Sequence, residues 1–309
     1  MRLMERDQDI LAWILHMRFS HLDQIGEKFF PGCNIHRAPY RRMQKLVKAG
    51  LLGTQKVYSD PRDLYIPTTD AVTALAAGNY PFAIGVAKDK TFVNYFHDRE
   101  LVDLRILFEA LGIGLWIPER VIRSVKPHGI TPDALIMTVD QVYPVEYERT
   151  EKDPVRYKKI FDRYNYSSKF EKVLYILPSE RRIESLKKKT GYVWQKFYFI
   201  SLEELKREKG AAVFRSSQGE LPVRVLMDYS MDGTLADRTR EEIKAIVESE
   251  SMGVGRSRIR RDCIVDYSER DPDDAEDDDY DDDLNRDADD DPEVDSEEDD
   301  RGGDGADDD

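Results

Sequence analysis

The chain has 309 residues, 40% of them hydrophobic, which is enough for two folded domains with real cores. Its formal charge of −15 is segregated: residues 266–309 hold 26 Asp and Glu against three Arg, while the rest carries 44 basic and 36 acidic side chains. No apolar run has the length of a membrane span, MRLMERDQD lacks the apolar core of a signal peptide, and Cys33 and Cys263 match no metal or redox spacing, so the expectation is a cytoplasmic protein with two reduced thiols and no membrane partner.

Residues 1–78 read as one unit. RDQDILAWILHMR places Ile10, Leu11, Ile14, Leu15 and Met17 at helical spacing, with Asp7 or Asp9 as its cap. SHLDQIGEKFF opens on Ser20 as an N-cap with Asp23 three residues on, and bears Leu22, Ile25 and Phe29. After the PGCN turn, IHRAPYRRMQKLVKAGLL is a third helix, with Tyr40, Met43, Leu46 and Val47 inward and Gly50 as its stop. LLGTQKVY and DLYIPTT follow as strands joined by a turn at SDPRD, then a helix over 69–77.

Three helices and a β-hairpin make the pattern of a winged helix-turn-helix. On the third helix Arg37, Arg41, Lys45 and Lys48 recur at steps of three and four, with Arg42 beside them. Lys56 and Arg62 lie in the hairpin. A basic face of this kind suits double-stranded DNA, with phosphates as anchors. A solvated basic face on a helical domain is the plainer reading of the same residues.

Residues 79–90 form a linker. The second domain, 91–205, opens with a long helix from about Thr91 to Ala110. Strand candidates follow at LWIPERVIR, PDALIMTV and YPVEYERT, then the helix VRYKKIFDRYNYSSK, the strand KVLYILP, the helix ERRIESLKKKTG and the strand KFYFISL. Such an order gives a mixed α/β core in which an antiparallel hairpin lies beside helix-linked strands. Residues 206–265 are a poorly defined extension, with VRVLMDY as one more strand and DRTREEIKAIVESE as a short helix. Residues 266–309 have almost no large apolar side chains and read as a disordered acidic tail.

Asp133, Glu146 and Glu148 are the candidate catalytic and metal-ligating residues. Glu146 and Glu148 are two apart and leave one face of a strand. A turn centred on Asp140 and Gln141 sets position 133 across from 148 and 149. Three carboxylates on one sheet face call for a divalent cation, and oxygen-only ligation suits Mg²⁺ or Mn²⁺. The competing reading is a charged solvent face paired by Arg149, Lys152 and Arg156. His97, alone on its helix, is set aside as a packing or capping residue.

Pro132-Asp133 followed by Glu146-Tyr147-Glu148 resembles the signature of the PD-(D/E)xK nuclease superfamily, with Glu148 where most members carry lysine. In some members the lysine has moved to the next helix, where Lys158 and Lys159 lie here. More narrowly, RDQDILAWI, RRMQKLVKAGLL, FHDRELVDLRILFEAL, TPDALI and VEYERTEKDPVRYKKIFDRY resemble, over roughly residues 5–205, the replication-relaxation family of plasmids and other mobile elements. That resemblance implies a DNA-binding accessory role in replication or mobilisation, with a relaxase or replication initiator as protein partner. The alternatives are a Mg²⁺-dependent DNA endonuclease using the three carboxylates, and a winged-helix transcriptional regulator.

Overall fold

The computed structural model describes residues 2–87, 94–126, 130–139, 141–167, 169–190, 195–227 and 235–248. All lie in one unit, Met1–Tyr267. The acidic segment 266–309, Cys263 and the basic stretch 253–261 lie outside the described residues.

Helix α1 (Glu5–Met17) buries the apolar residues that the spacing selected, and its N-cap is Met4. Asp7 stands three residues inside the helix, where its carboxylate takes the Met4 N–H at 2.8 Å. Ser20, expected as a cap, lies in the short strand β1 (Ser20–His21) instead. The cap of α2 (Leu22–Phe29) is His21, whose N–H donates to the Gln24 side chain at 3.0 Å. The capping pattern therefore sits one residue later than expected, because Ser20 pairs with Tyr65 in the sheet. Helix α3 (Ala38–Lys48) buries Met43 and Leu46, while Tyr40, expected to point inward, is exposed.

Strands β2 (Leu52–Val57) and β3 (Asp60–Pro67) are antiparallel, and β1 adds to β3, giving the order β1-β3-β2. The hairpin turns at Tyr58–Ser59, since Val57 pairs with Asp60. Asp60 was expected in the turn. It belongs to the strand because its carboxylate is buried and receives the Arg62 guanidinium and the Tyr95 hydroxyl. Helix α4 (Thr69–Ala77) keeps its expected bounds, and the Thr68 hydroxyl caps it by accepting the Ala71 N–H at 3.2 Å.

The second part begins with α5 (Tyr95–Ala110); the expected first turn from Thr91, including Phe92, lies outside the described residues. Next come β4 (Leu115–Pro118), α6 (Glu119–Val125), β5 (Ala134–Met137), β6 (Val142–Tyr147), α7 (Pro154–Tyr166), β7 (Val173–Leu177), α8 (Glu180–Thr190) and β8 (Phe197–Ser201). The chain continues with α9 (Leu202–Glu208), β9 (Val213–Ser216), β10 (Gly219–Pro222), α10 (Val223–Met227) and α11 (Arg240–Glu248). The sheet runs β10-β9-β8-β7-β6-β5-β4. Strands β4, β5 and β6 are antiparallel neighbours, and β6, β7 and β8 are parallel. The result is a mixed α/β fold.

Strands β7 and β8 are buried along their whole length. That is the burial expected of parallel strands covered on both faces. Tyr143, Val145, Leu174 and Ile176 join one apolar cluster with α1 and α5. Leu135, Val173, Tyr175 and Phe197 join another with α6, α7, α8 and α11.

Two expected strands are partly or wholly helical. LWIPERVIR is a strand only to Pro118. Beyond it Val121, Ile122 and Val125 are buried at helical spacing, and Arg123 pairs with Glu119 at 2.6 Å. The described part of VRVLMDY is α10, with Val223 and Leu226 buried one helical turn apart. The β5–β6 register is also shifted: Ala134 pairs with Val145, which sets position 133 across from 146 rather than 148. A shift of two leaves every side chain on its expected face.

Candidate functional site

Asp133 immediately precedes β5. Its carbonyl accepts the Glu119 N–H at 3.0 Å, and its carboxylate accepts the Tyr147 N–H at 2.8 Å. Glu146 lies on β6 beside Tyr175 of β7, and the Glu148 N–H extends that ladder to the Ile176 carbonyl at 2.9 Å. All three carboxylates leave the sheet on the face that α7 covers. The Tyr164 hydroxyl donates to Glu146. The Tyr175 hydroxyl donates to Glu148 at 3.0 Å, and the Lys152 ammonium contacts the same Glu148 oxygen.

His97 belongs here after all. The first turn of α5 places its Nε2 3.1 Å from the Tyr147 carbonyl and 3.4 Å from the Asp133 carboxylate, and its Nδ1 3.2 Å from Asp98. Burial opposes its charged form, but Asp133 and Asp98 outweigh burial, and its pKa is pushed up to about 10. Both ring nitrogens therefore donate at neutral pH. Burial, reinforced by the Asp133 charge, raises the Glu146 carboxyl well above the ordinary carboxylate range. Burial likewise raises the Tyr164 phenol, so it remains a donor.

Asp133, Glu146, Glu148, Lys152 and His97 line an open pocket of about 550 Å³, with Phe96, Arg149 and Arg156 also on its wall. The Arg149 guanidinium lies 4.6 Å from the Phe96 ring centroid and 3.2 Å from Glu100. Lys158 and Lys159, the positions expected to carry a displaced lysine, are exposed on α7 and are not part of the pocket wall. Lys152, in the β6–α7 loop, lies on that wall against Glu148.

Oxygen donors of this type suit Mg²⁺ or Mn²⁺. Their placement does not: among the described residues, no group of three or more His, Cys, Asp or Glu side chains is arranged to hold a metal ion. Asp133, Glu146 and Glu148 share a face, yet Glu148 is turned to Lys152 and Glu146 to Tyr164.

The seven basic candidates separate sharply. Arg42 is buried, with its Nε 2.6 Å from Asp7 Oδ1 and its Nη2 against Oδ2, so it is a core residue. Arg62 is drawn to Asp60 at 2.8 Å and to Asp23 at 2.7 Å, which ties the hairpin to α2. Lys56 is exposed, 3.9 Å from Asp63. Arg37, Lys45 and Lys48 are exposed and Arg41 is half-buried. A carboxylate 35 positions earlier in the chain sets Arg42 apart from Arg41, and spacing alone carries no trace of it.

Sequence reasoning set His97 aside and did not single out Tyr175 as a site residue. Only for Lys152 was a local signal present: it stands four residues after Glu148. Among the described residues, no helix is long and apolar enough to cross a membrane. The chain matches no protein-family profile, no curated protein and no solved structure.

Proposed function

We propose that the protein is a DNA-binding accessory protein of the replication-relaxation type, acting on plasmid or other mobile DNA. A winged helix grips the duplex, and a nuclease-like sheet serves DNA or partner contact. One observation carries the reading. The order α1-β1-α2-α3-β2-β3, closed by a β1-β3-β2 sheet, is the order expected of a winged helix, and its third helix carries Arg41, Lys45 and Lys48 at steps of three and four, with Arg37 at its N-cap. Backbone contacts of this kind position a protein on the duplex without reading its bases. A relaxase or replication initiator is the partner this reading calls for.

The test is charge reversal on the full chain, Arg41→Glu with Lys45→Glu, read by fluorescence anisotropy on duplex DNA across a salt series. Loss of two phosphate contacts lowers the salt slope by about two and weakens binding by at least about tenfold at moderate salt. Retained affinity would remove α3 as the DNA-contacting helix.

One observation favours a second reading, a DNA endonuclease, although the carboxylates as they stand are not arranged to hold a metal ion. Lys152 enters the same pocket as Asp133, Glu146 and Glu148, which answers the lysine missing at position 148. Supercoiled DNA incubated with Mg²⁺ or Mn²⁺ separates the two. Nicking abolished by both Asp133→Asn and Lys152→Ala establishes the enzyme; intact DNA with either ion leaves the binding role.

A further inference from the structure

Helix α7 buries Tyr157, Phe161 and Tyr164 against the sheet and turns Arg156, Lys158, Lys159 and Arg163 outward. Among the described residues, none of these four cations has an ion-pair partner. On the neighbouring α8 three of the five cations are paired: Arg182 and Lys189 with Glu151, and Lys187 with Glu184. Asp162, half-buried, is the one acid within this face of α7. Surface cations are normally interspersed with acids, so a helix face left unneutralised beside a partly neutralised one is positioned for a polyanion from outside.

The face has direction. Arg156 lines the carboxylate pocket, and Lys159 and Arg163 follow at steps of three and four. Tyr166, 87% exposed, ends the row about 15 Å from Arg156 along the helix axis. At the pocket end stands Phe96, 37% exposed, beneath Arg149. A row of cations that ends on an exposed aromatic ring offers phosphate contacts and a stacking platform together. Bases inside a duplex have no free faces to stack on such a ring.

We infer that the outer face of α7 is a track for single-stranded nucleic acid, running from Tyr166 to the carboxylate pocket. The phosphates lie along Arg163, Lys159 and Arg156, and an unstacked base rests on Tyr166. This track is separate from the duplex-binding role given to α3, and reversing Arg41 and Lys45 leaves it intact.

The test uses the full chain and fluorescent oligo-dT of about 20 nucleotides, beside a duplex of equal length. The variants are Lys159→Glu with Arg163→Glu, and separately Tyr166→Ala; all three positions are exposed on α7, so folding is preserved and is checked by thermal melting. Charge reversal weakens oligo-dT binding by about tenfold or more and lowers the salt slope by about one to one and a half. Tyr166→Ala weakens it by about fivefold or more. Duplex affinity stays within about twofold, the scatter of unrelated surface changes. A wild-type chain that ignores oligo-dT, or an affinity that charge reversal does not move, overturns the inference. Equal losses for duplex and oligo-dT would make the face a general phosphate contact and overturn its single-strand assignment. Capture of oligo-dT only after removal of residues 266–309 would assign the face to the chain's own acidic segment. Loss of duplex binding in the α3 variant, with oligo-dT binding unchanged, reports on the α3 reading alone.

Discussion

Replacing Arg42 with methionine should destabilise the fold without touching DNA. The Arg42 and Asp7 side chains are 6% and 1% exposed, and the guanidinium addresses both carboxylate oxygens. Asp7 also holds the Met4 N–H in the first turn of α1, so it cannot swing out to water when its partner is lost. Arg42→Met therefore leaves a buried charge without compensation, at a cost of about 3–5 kcal/mol. At about 2 °C per kcal/mol for a folded unit of this size, the melting temperature falls by roughly 6–10 °C. Pairing Arg42→Met with Asp7→Leu removes both charges and should recover most of the loss, a coupling that a double-mutant cycle reads directly. Duplex binding, measured at a temperature where both forms are folded, should stay within about twofold of wild type. Lys45→Met should do the reverse, with a stability change under about 0.5 kcal/mol and weakened binding. An Arg42→Met chain within about 1 kcal/mol of wild type that no longer binds DNA would refute this division of labour.

The pocket and the start of β4 offer further checks. The raised Glu146 pKa means that the folded state keeps a proton which the unfolded chain releases. The stability from that proton is complete below the ordinary value of 4.5 and is lost as pH climbs through the raised one. Glu146→Gln imitates the protonated acid and still accepts the Tyr164 hydroxyl, so it should flatten the fall in urea midpoint as pH rises above the ordinary carboxylate range; an unchanged slope would refute the assignment. Gly114 has φ +23°, and a Cβ there would stand 2.5 Å from the Met137 carbonyl oxygen and 2.9 Å from the Ile136 side chain. Gly114→Ala should cost about 2 kcal/mol or more, because strand backbone must move. Gly112→Ala, also at positive φ but with open space around its Cβ, should cost about 1–2 kcal/mol. Chemical denaturation compares the two, and equal losses would remove the steric argument.

Much of the architecture was legible in the sequence. The bounds of α4 were those read from the sequence, and the structure adds Thr68, read there as the end of a strand, as its cap. Strands β7 and β8 followed from unbroken apolar runs. Failures came where two periodicities compete over a few residues: the segments after Pro118 and from Val223 are too short for one period to exclude the other. The hairpin register missed by two because a turn residue's identity weakly limits loop length, yet parity preserved the shared face of Asp133, Glu146 and Glu148.

The sequence by itself determined most of the succession of helices and strands, the segregation of charge, and the shared face of Glu146 and Glu148. Those properties depend on neighbours one to four residues apart, which the chain states directly. Only the tertiary structure decided that His97 meets Asp133, that Lys152 rather than Lys158 enters the pocket, and that Arg42 serves the core while Arg41 beside it does not. Each outcome turns on a side chain brought in by packing, and burial then sets its charge. A lone histidine and a run of arginines look alike in sequence, whatever carboxylates the fold lays against them.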